Sequence, residues 1–116
     1  MIIEDDTNTA ILLSNVLTLE GFETATARDG VEGIEMVQQN PPDLIILDIM
    51  LPKMDGTKVL LLLKSKPKTK DIPVLMCSVL NRLNDVEDCA NSGAAGYITK
   101  PFNVNRVVEK IRSILG

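Results

Sequence analysis

Four places in the chain carry side chains suited to a charged ligand: the acidic run Glu4-Asp5-Asp6, then Asp48, Ser78 and Lys100. Their types are complementary. Carboxylates supply hard oxygen ligands and, at Asp48, a candidate nucleophile. A hydroxyl and an ammonium supply donors for the oxygens of an anion. Asp48 ends the apolar run Leu44-Ile45-Ile46-Leu47, and an acid in that place has either opened a turn or taken up a chemical task. Histidine is absent, which excludes Ser-His-Asp and Cys-His catalysis, His-ligated zinc, and a phosphohistidine carried on this chain.

If these groups meet, electrostatics asks for a cation. Two carboxylates ~4 Å apart at an effective dielectric of ~20 repel by ~4 kcal/mol, which forces a proton onto one of them at neutral pH. A divalent ion removes the conflict. Oxygen ligands with open water positions suit magnesium or manganese rather than zinc, and such an ion neutralises and polarises an incoming phosphoryl group. Asp48 can then act as the nucleophile that forms an acyl phosphate. Lys100 can pair with one phosphoryl oxygen and the Ser78 hydroxyl can bond another. Each residue alone has a plainer use. Asp48 can open a turn before Pro52, and the acids at 4 to 6 can complement a helix start. Ser78 can be a strand-end hydroxyl, and Lys100 a surface lysine.

The elements around them decide between these readings. MII (1–3) is a short apolar run, followed by a helical pattern from about Asn8 to Glu20 that Gly21 ends. FETATA (22–27) alternates with period two, as a half-covered edge strand does. Asp29 can cap a helix carrying Val31, Ile34 and Val37, which Pro41 and Pro42 stop. DLIILD (43–48) has the continuous apolar character of a strand covered on both faces. A helix from about Gly56 to Ser65 halts before Pro67, and IPVLMCSV (72–79) is the next strand. Asn81 or Asn84 caps a shorter helix with Val86, Cys89 and Ala90 inward and Gly93 at its end. AGYIT (95–99) is a fifth strand, and Asn103 opens a last helix with Val104, Val107, Val108 and Ile111 on one face.

Strand and helix alternate five times. Strands so separated pair in parallel through right-handed crossovers, giving a doubly wound α/β sheet with five helices over both faces. Ligands of such sheets bind outside the carboxyl ends of the strands, which is where Glu4, Asp5, Asp48, Ser78 and Lys100 fall. The plain readings are independent of one another; only the joint one explains why the topology assembles all of them.

The 116 residues suit a single domain spanning 1–116. The chain is 45% hydrophobic but only 3% aromatic, so the core must be aliphatic. A net charge of −4 argues against a nucleic-acid surface, and the lysines of KSKPKTK (64–70) read as a solvated loop. Cys77 and Cys89 make neither a disulfide framework nor a metal quartet and read as buried thiols in a reducing compartment. No signal peptide is visible and no apolar stretch approaches the length of a membrane span, so a cytoplasmic protein is expected.

Over essentially all its length the chain resembles the receiver domain of two-component response regulators. The resemblance rests on IIEDD, on Asp48 in LIILDIMLPKMDG, on Ser78 closing the fourth strand, and on GYITKPF with Lys100-Pro101. The spacings of 43, 30 and 22 residues (5 to 48, 48 to 78, 78 to 100) also suit that family. It implies a flavodoxin-like sheet of order 2-1-3-4-5. It implies that Asp48 accepts a phosphoryl group from a phosphohistidine on a histidine kinase or histidine phosphotransfer protein. Asp5 and Asp48 would bind Mg2+ (or Mn2+) directly with the main-chain carbonyl of Met50, and Glu4 through water. Ser78 and Lys100 would draw toward the phosphoryl oxygens, and Tyr97 would be the switch aromatic, or simply a half-buried edge-strand tyrosine. The output would be the surface of the fourth helix, fifth strand and fifth helix, engaging a downstream protein or output domain, with a phosphorylation-linked homodimer among the assemblies. No direct contact with nucleic acid or membrane is implied, and the Lys100-Pro101 bond would be cis.

Two features depart from the family pattern. The first strand is short, with only MII before the acidic pair, and Val79 stands where a small residue is usual, so that its branched side chain would crowd phosphoryl access. Three other functions compete. A phosphatase working through an aspartyl phosphate usually has a second acid two residues after the nucleophile, where this chain has Met50. A flavin- or nucleotide-binding sheet would need a glycine-rich loop where the chain has Glu4-Asp5-Asp6. A receiver used only for docking would not need the acid, hydroxyl and lysine set.

Overall fold

The computed structural model describes residues 1–78 and 90–116. Its elements are β1 (Ile2–Ile3), α1 (Thr7–Leu19), β2 (Thr26–Ala27), α2 (Gly30–Gln39), β3 (Ile45–Leu47), α3 (Gly56–Ser65), β4 (Val74–Ser78), β5 (Gly96–Thr99) and α4 (Val104–Leu115). The five strands form one parallel sheet in the order β2-β1-β3-β4-β5, the flavodoxin-like winding expected. The described residues hold four helices rather than five. The helix expected from Asn81 or Asn84, with Val86 and Cys89, lies outside the described residues, as does the crowding at Val79. Ala90, expected inward, is exposed.

Alternation along the strands divides the core in two. Ile3, Ala27, Ile45, Leu47, Val74 and Met76 point to one face, where Val37 of α2 and Val59, Leu60 and Leu63 of α3 cover them. Ile2, Ile46, Leu75, Cys77 and Ile98 point to the other, under Leu13 and Leu17 of α1 and Val107, Val108 and Ile111 of α4. Every one of these side chains is aliphatic or sulfur-bearing, as the scarcity of aromatics requires.

Three helix starts follow one rule. Asp6, Asp29 and Asn103 stand in front of α1, α2 and α4, and each side chain accepts a hydrogen bond from a backbone N–H of the first turn. Asp55 does the same for α3. Two expectations needed correction. Only Thr26–Ala27 of the FETATA segment is strand, because its neighbour β1 offers only Ile2 and Ile3 to pair with. Of the face expected for α2, Val37 is buried and Ile34 packs partly buried against the core, but Val31 is exposed, and Gly30 and Gly33 face the core in its place. The helix lies so close to the sheet that a Cβ on Gly33 would sit 2.6 Å from Ile3 Cδ1. No helix among the described residues is long and apolar enough to cross a membrane.

Candidate functional site

The sheet register delivers the acids to one edge. Ile3 pairs with Leu47, and the Asp48 N–H donates to the Ile3 carbonyl at 3.1 Å, so Glu4 and Asp48 leave adjacent strands side by side. The acidic run divides its labour. Asp6 caps α1, accepting from the Thr9 N–H at 3.1 Å, while its own N–H donates to Glu4 Oε2 at 3.3 Å. Glu4 and Asp5 remain for the crevice. Glu4, Asp5 and Asp48 each place a carboxylate oxygen within 4.8 Å of the others; Glu4 and Asp48 are buried and Asp5 is exposed.

Lys100 arrives from β5. Its N–H donates to the Ser78 carbonyl at 2.8 Å, which carries the β4–β5 ladder one step past the strand ends. Its ammonium ion-pairs with Glu4 Oε1 and, at 3.0 Å, with Asp48 Oδ2. The other Asp48 oxygen, Oδ1, accepts the Met50 N–H at 3.1 Å. The acid at the strand end is therefore gripped from both sides by donors that favour its charge. Residues from β1, β3 and β5 meet at one point, as the topology required.

The electrostatics are those of a crowded acid pair. Burial raises the Glu4 pKa from its ordinary 4.5 to about 7, the neighbouring Asp48 pushes the same way, and Lys100 works against them. Burial disfavours the Lys100 ammonium, but the two carboxylates outweigh it and leave that pKa raised. Cys77 is buried one residue before Ser78, and burial pushes its thiol up to about 12. It is an unreactive core side chain, in line with the sequence reading.

Ser78 ends β4 fully buried, and by alternation it lies on the same sheet face as Met76. Tyr97, paired with Met76, is half-buried against that same core. The two residues expected to switch thus share a face. The Lys100-Pro101 bond is cis, as expected. A cleft of about 420 Å³ opens beside the acids, lined by Glu4, Asp5, Thr7, Ile11, Arg28 and Glu32 among others.

What the sequence reading missed is backbone. The loop from Asp48 returns on itself: the Gly56 N–H donates to the Ile49 carbonyl at 2.7 Å. A Cβ on Gly56 would lie 2.0 Å from the Asp48 carbonyl oxygen. Only glycine lets α3 start this close to the strand end. The signal was present in the Asp55-Gly56 pair, where a helix cap is followed by a residue without a side chain. The Met50 N–H, a direct partner of Asp48, was also missed, because no side chain announces it.

Residues 1–112 match the family model described as the response regulator receiver domain. The DNA-binding dual master transcriptional regulator RpaA of a Synechocystis strain is 41% identical over 115 residues, which are 99% of this chain and 48% of that protein. The chain thus spans about half the length of that relative. The polar-differentiation response regulator DivK of Brucella anthropi is 34% identical over 116 residues, covering 100% of this chain and 94% of its own. Among solved structures, the Mn(2+)-bound form of response regulator Rcp1 superposes with a TM-score of 0.84 at 29% identity, over 97% of this chain and 88% of that one.

Proposed function

The chain belongs to the response regulator receiver family of two-component signalling, whose general function is to accept phosphoryl groups, and from that premise we propose that Asp48 is its phosphoacceptor. The donor is a phosphohistidine on a histidine kinase or histidine phosphotransfer protein. The observation that carries this reading is the grip on Asp48: a buried carboxylate at the end of β3, with the Lys100 ammonium on one oxygen and the Met50 N–H on the other. A turn-opening aspartate has no use for a half-buried lysine from a distant strand.

The three carboxylates fit a hard divalent cation. They offer only oxygen, lie in mutual reach, and include one exposed member through which water can complete a shell. Asp5 and Asp48 would hold Mg2+ or Mn2+ directly with the Met50 carbonyl, and Glu4 through water. When bound, the ion neutralises charge on the phosphoryl oxygens. Asp48 supplies the nucleophilic oxygen. A P–O bond forms as the donor P–N bond breaks, and the electron pair returns to the imidazole nitrogen. Lys100 pairs with a phosphoryl oxygen as its contact to Asp48 is replaced, and Ser78 bonds another. The chain assists its own modification and is a signalling module rather than an enzyme.

The phosphoryl group adds ~1.5–2 negative charges at the strand end. Ser78 and Tyr97, on one sheet face, carry that change to the output surface around β5, α4 and the segment before β5. A switch from about 1:99 to 99:1 needs ~5.5 kcal/mol of differential stabilisation, which a few charge-assisted hydrogen bonds at ~1.5–3 kcal/mol each supply. The partner there is a downstream protein or output domain, and a phosphorylated homodimer is one form it takes. The setting is cytoplasmic.

The test is incubation with acetyl phosphate or phosphoramidate and Mg2+, followed by intact mass. The parent chain should gain one phosphate and Asp48→Asn none. No gain in either would return the chain to docking alone, and a gain in both would place the acceptor elsewhere.

A further inference from the structure

We infer that the amino end of α2 acts as a bracket for the β3–α3 loop, and that Gly30 is a positioning residue for Asp48. The inference builds on the phosphoacceptor reading, but two of its three readouts do not depend on phosphate.

The loop starts at Asp48 and closes at Gly56. Internal bonds stiffen it: the Leu51 N–H donates to the Ile49 carbonyl at 3.1 Å and the Met54 N–H to the Pro52 carbonyl at 2.7 Å. From the side it is met by the start of α2. Lys53, at φ +67°, brings its ammonium within 3.4 Å of Asp29 Oδ2, and Asp29 is itself held as the α2 cap by the Glu32 N–H at 2.8 Å. That ion pair is exposed on the lysine side and contributes little alone. The steric contact is stronger. A Cβ on Gly30 would lie 2.6 Å from Val59 Cγ2, 3.0 Å from Met54 Cβ and 3.1 Å from the Met54 carbonyl oxygen. Helix backbone and loop backbone therefore touch where Gly30 has no side chain.

A side chain at 30 would push the loop at Met54. The loop cannot yield toward α3, because Gly56 is already packed on the Asp48 carbonyl. The displacement must pass back toward Met50, whose N–H orients Asp48 Oδ1. Neither Asp29 nor Gly30 belongs to the acid cluster, so they act only through the loop. Groups that orient metal ligands typically change affinity 10–100-fold when altered.

Gly30→Ala alone collides with the buried Val59, so the experiment uses Gly30→Ala in a Val59→Ala background, with Val59→Ala as reference. The reference should melt earlier but keep the parent Met50 amide resonance in the metal-free protein and the parent Mg2+ affinity. Adding Gly30→Ala should shift that resonance, weaken Mg2+ binding by roughly tenfold, and slow phosphate uptake at limiting Mg2+ with recovery at saturation. A double variant with the resonance and Mg2+ affinity of Val59→Ala overturns the inference. A parent chain that takes up no phosphate would sink the phosphoacceptor reading instead, and the amide shift and Mg2+ titration would still decide on the bracket.

Discussion

Both edges of the sheet carry ion pairs, and burial makes them different objects. At the carboxyl edge the Lys100 side chain is 14% exposed, against 4% for Glu4 and 7% for Asp48. At the amino edge, where α1 and α4 end, Arg112 meets Glu20 at 2.7 Å with side chains 56% and 43% exposed. Its guanidinium also stands 5.8 Å from the centroid of the Phe22 ring. This edge opens into a groove of about 780 Å³ lined by Met1, Phe22, residues 23–25 and residues 41–44 among others. Water screens the amino-edge pair and leaves it free to form or break. At the carboxyl edge Glu4 and Asp48 are shielded from water, each charge depends on its partner, and a change in one must be felt by the rest. That dependence is what the proposed phosphorylation of Asp48 would act on.

The strongest way to break the contrast is Lys100→Ala. It leaves Glu4 and Asp48 buried against each other without a cation. The metal-free protein should lose ~3–5 kcal/mol at neutral pH, as buried pairs do when one partner goes. Urea unfolding without divalent ions measures it. The loss should shrink on acidification, as protons take the lysine's place; a loss independent of pH would mean that packing, not charge, was removed. Gly56→Ala comes next, at ~1–3 kcal/mol for overpacking. Its Cβ would meet the Asp48 carbonyl oxygen at 2.0 Å and Ile49 Cα at 2.6 Å, both backbone atoms with nowhere to go. Because those atoms carry Asp48, the proposed acceptor and metal ligand, Mg2+ affinity should fall with stability. A stable variant with unchanged Mg2+ binding would show that the loop adjusts without moving Asp48.

The two edges were not equally legible in the sequence. Strand ends gave away the carboxyl edge: Glu4, Asp5, Asp48, Ser78 and Lys100 each close or follow an apolar run, and a parallel sheet aligns such ends. The caps Asp29 and Asn103 were equally plain, since capping is local chemistry. What stayed hidden depends on distances between elements. Gly30 and Gly33 carry no side chain for an apolar pattern to register, and Val31 reads as a core position, because nothing local reports how closely a helix approaches a sheet. The pairing of Arg112 with Glu20, 92 positions apart, had no signal, since charged residues on exposed helices are common. The extent of β2 could not be read from FETATA alone, because a strand is only as long as its neighbour.

A subtler test uses pH. The folded-state pKa of Glu4 is raised, from 4.5 to about 7. A raised acid favours the folded state while protonated: its contribution is complete below 4.5 and is lost as pH climbs through about 7. The metal-free parent should therefore lose stability across that window. Glu4→Gln, which cannot ionise, should be flatter there, and Mg2+ should flatten the parent too. Parallel pH profiles for parent and Glu4→Gln would mean that Glu4 ionises without strain.

The smallest effect is expected at the amino edge. Arg112→Ala removes the Glu20 ion pair and the contact with the Phe22 ring, yet exposed pairs are worth ~0.2–1 kcal/mol and an exposed cation–π contact ~0.5–1 kcal/mol. The two share one guanidinium, so they do not simply add. The loss should stay near 1 kcal/mol or below and shrink as salt is raised, since screening already weakens the pair in the parent. Phosphate uptake at Asp48 should be unaltered. A loss as large as that of Lys100→Ala, or one that salt leaves untouched, would mean that the Arg112 stem and Phe22 close the lower core between α1 and α4. In that case packing rather than charge would govern this edge as well.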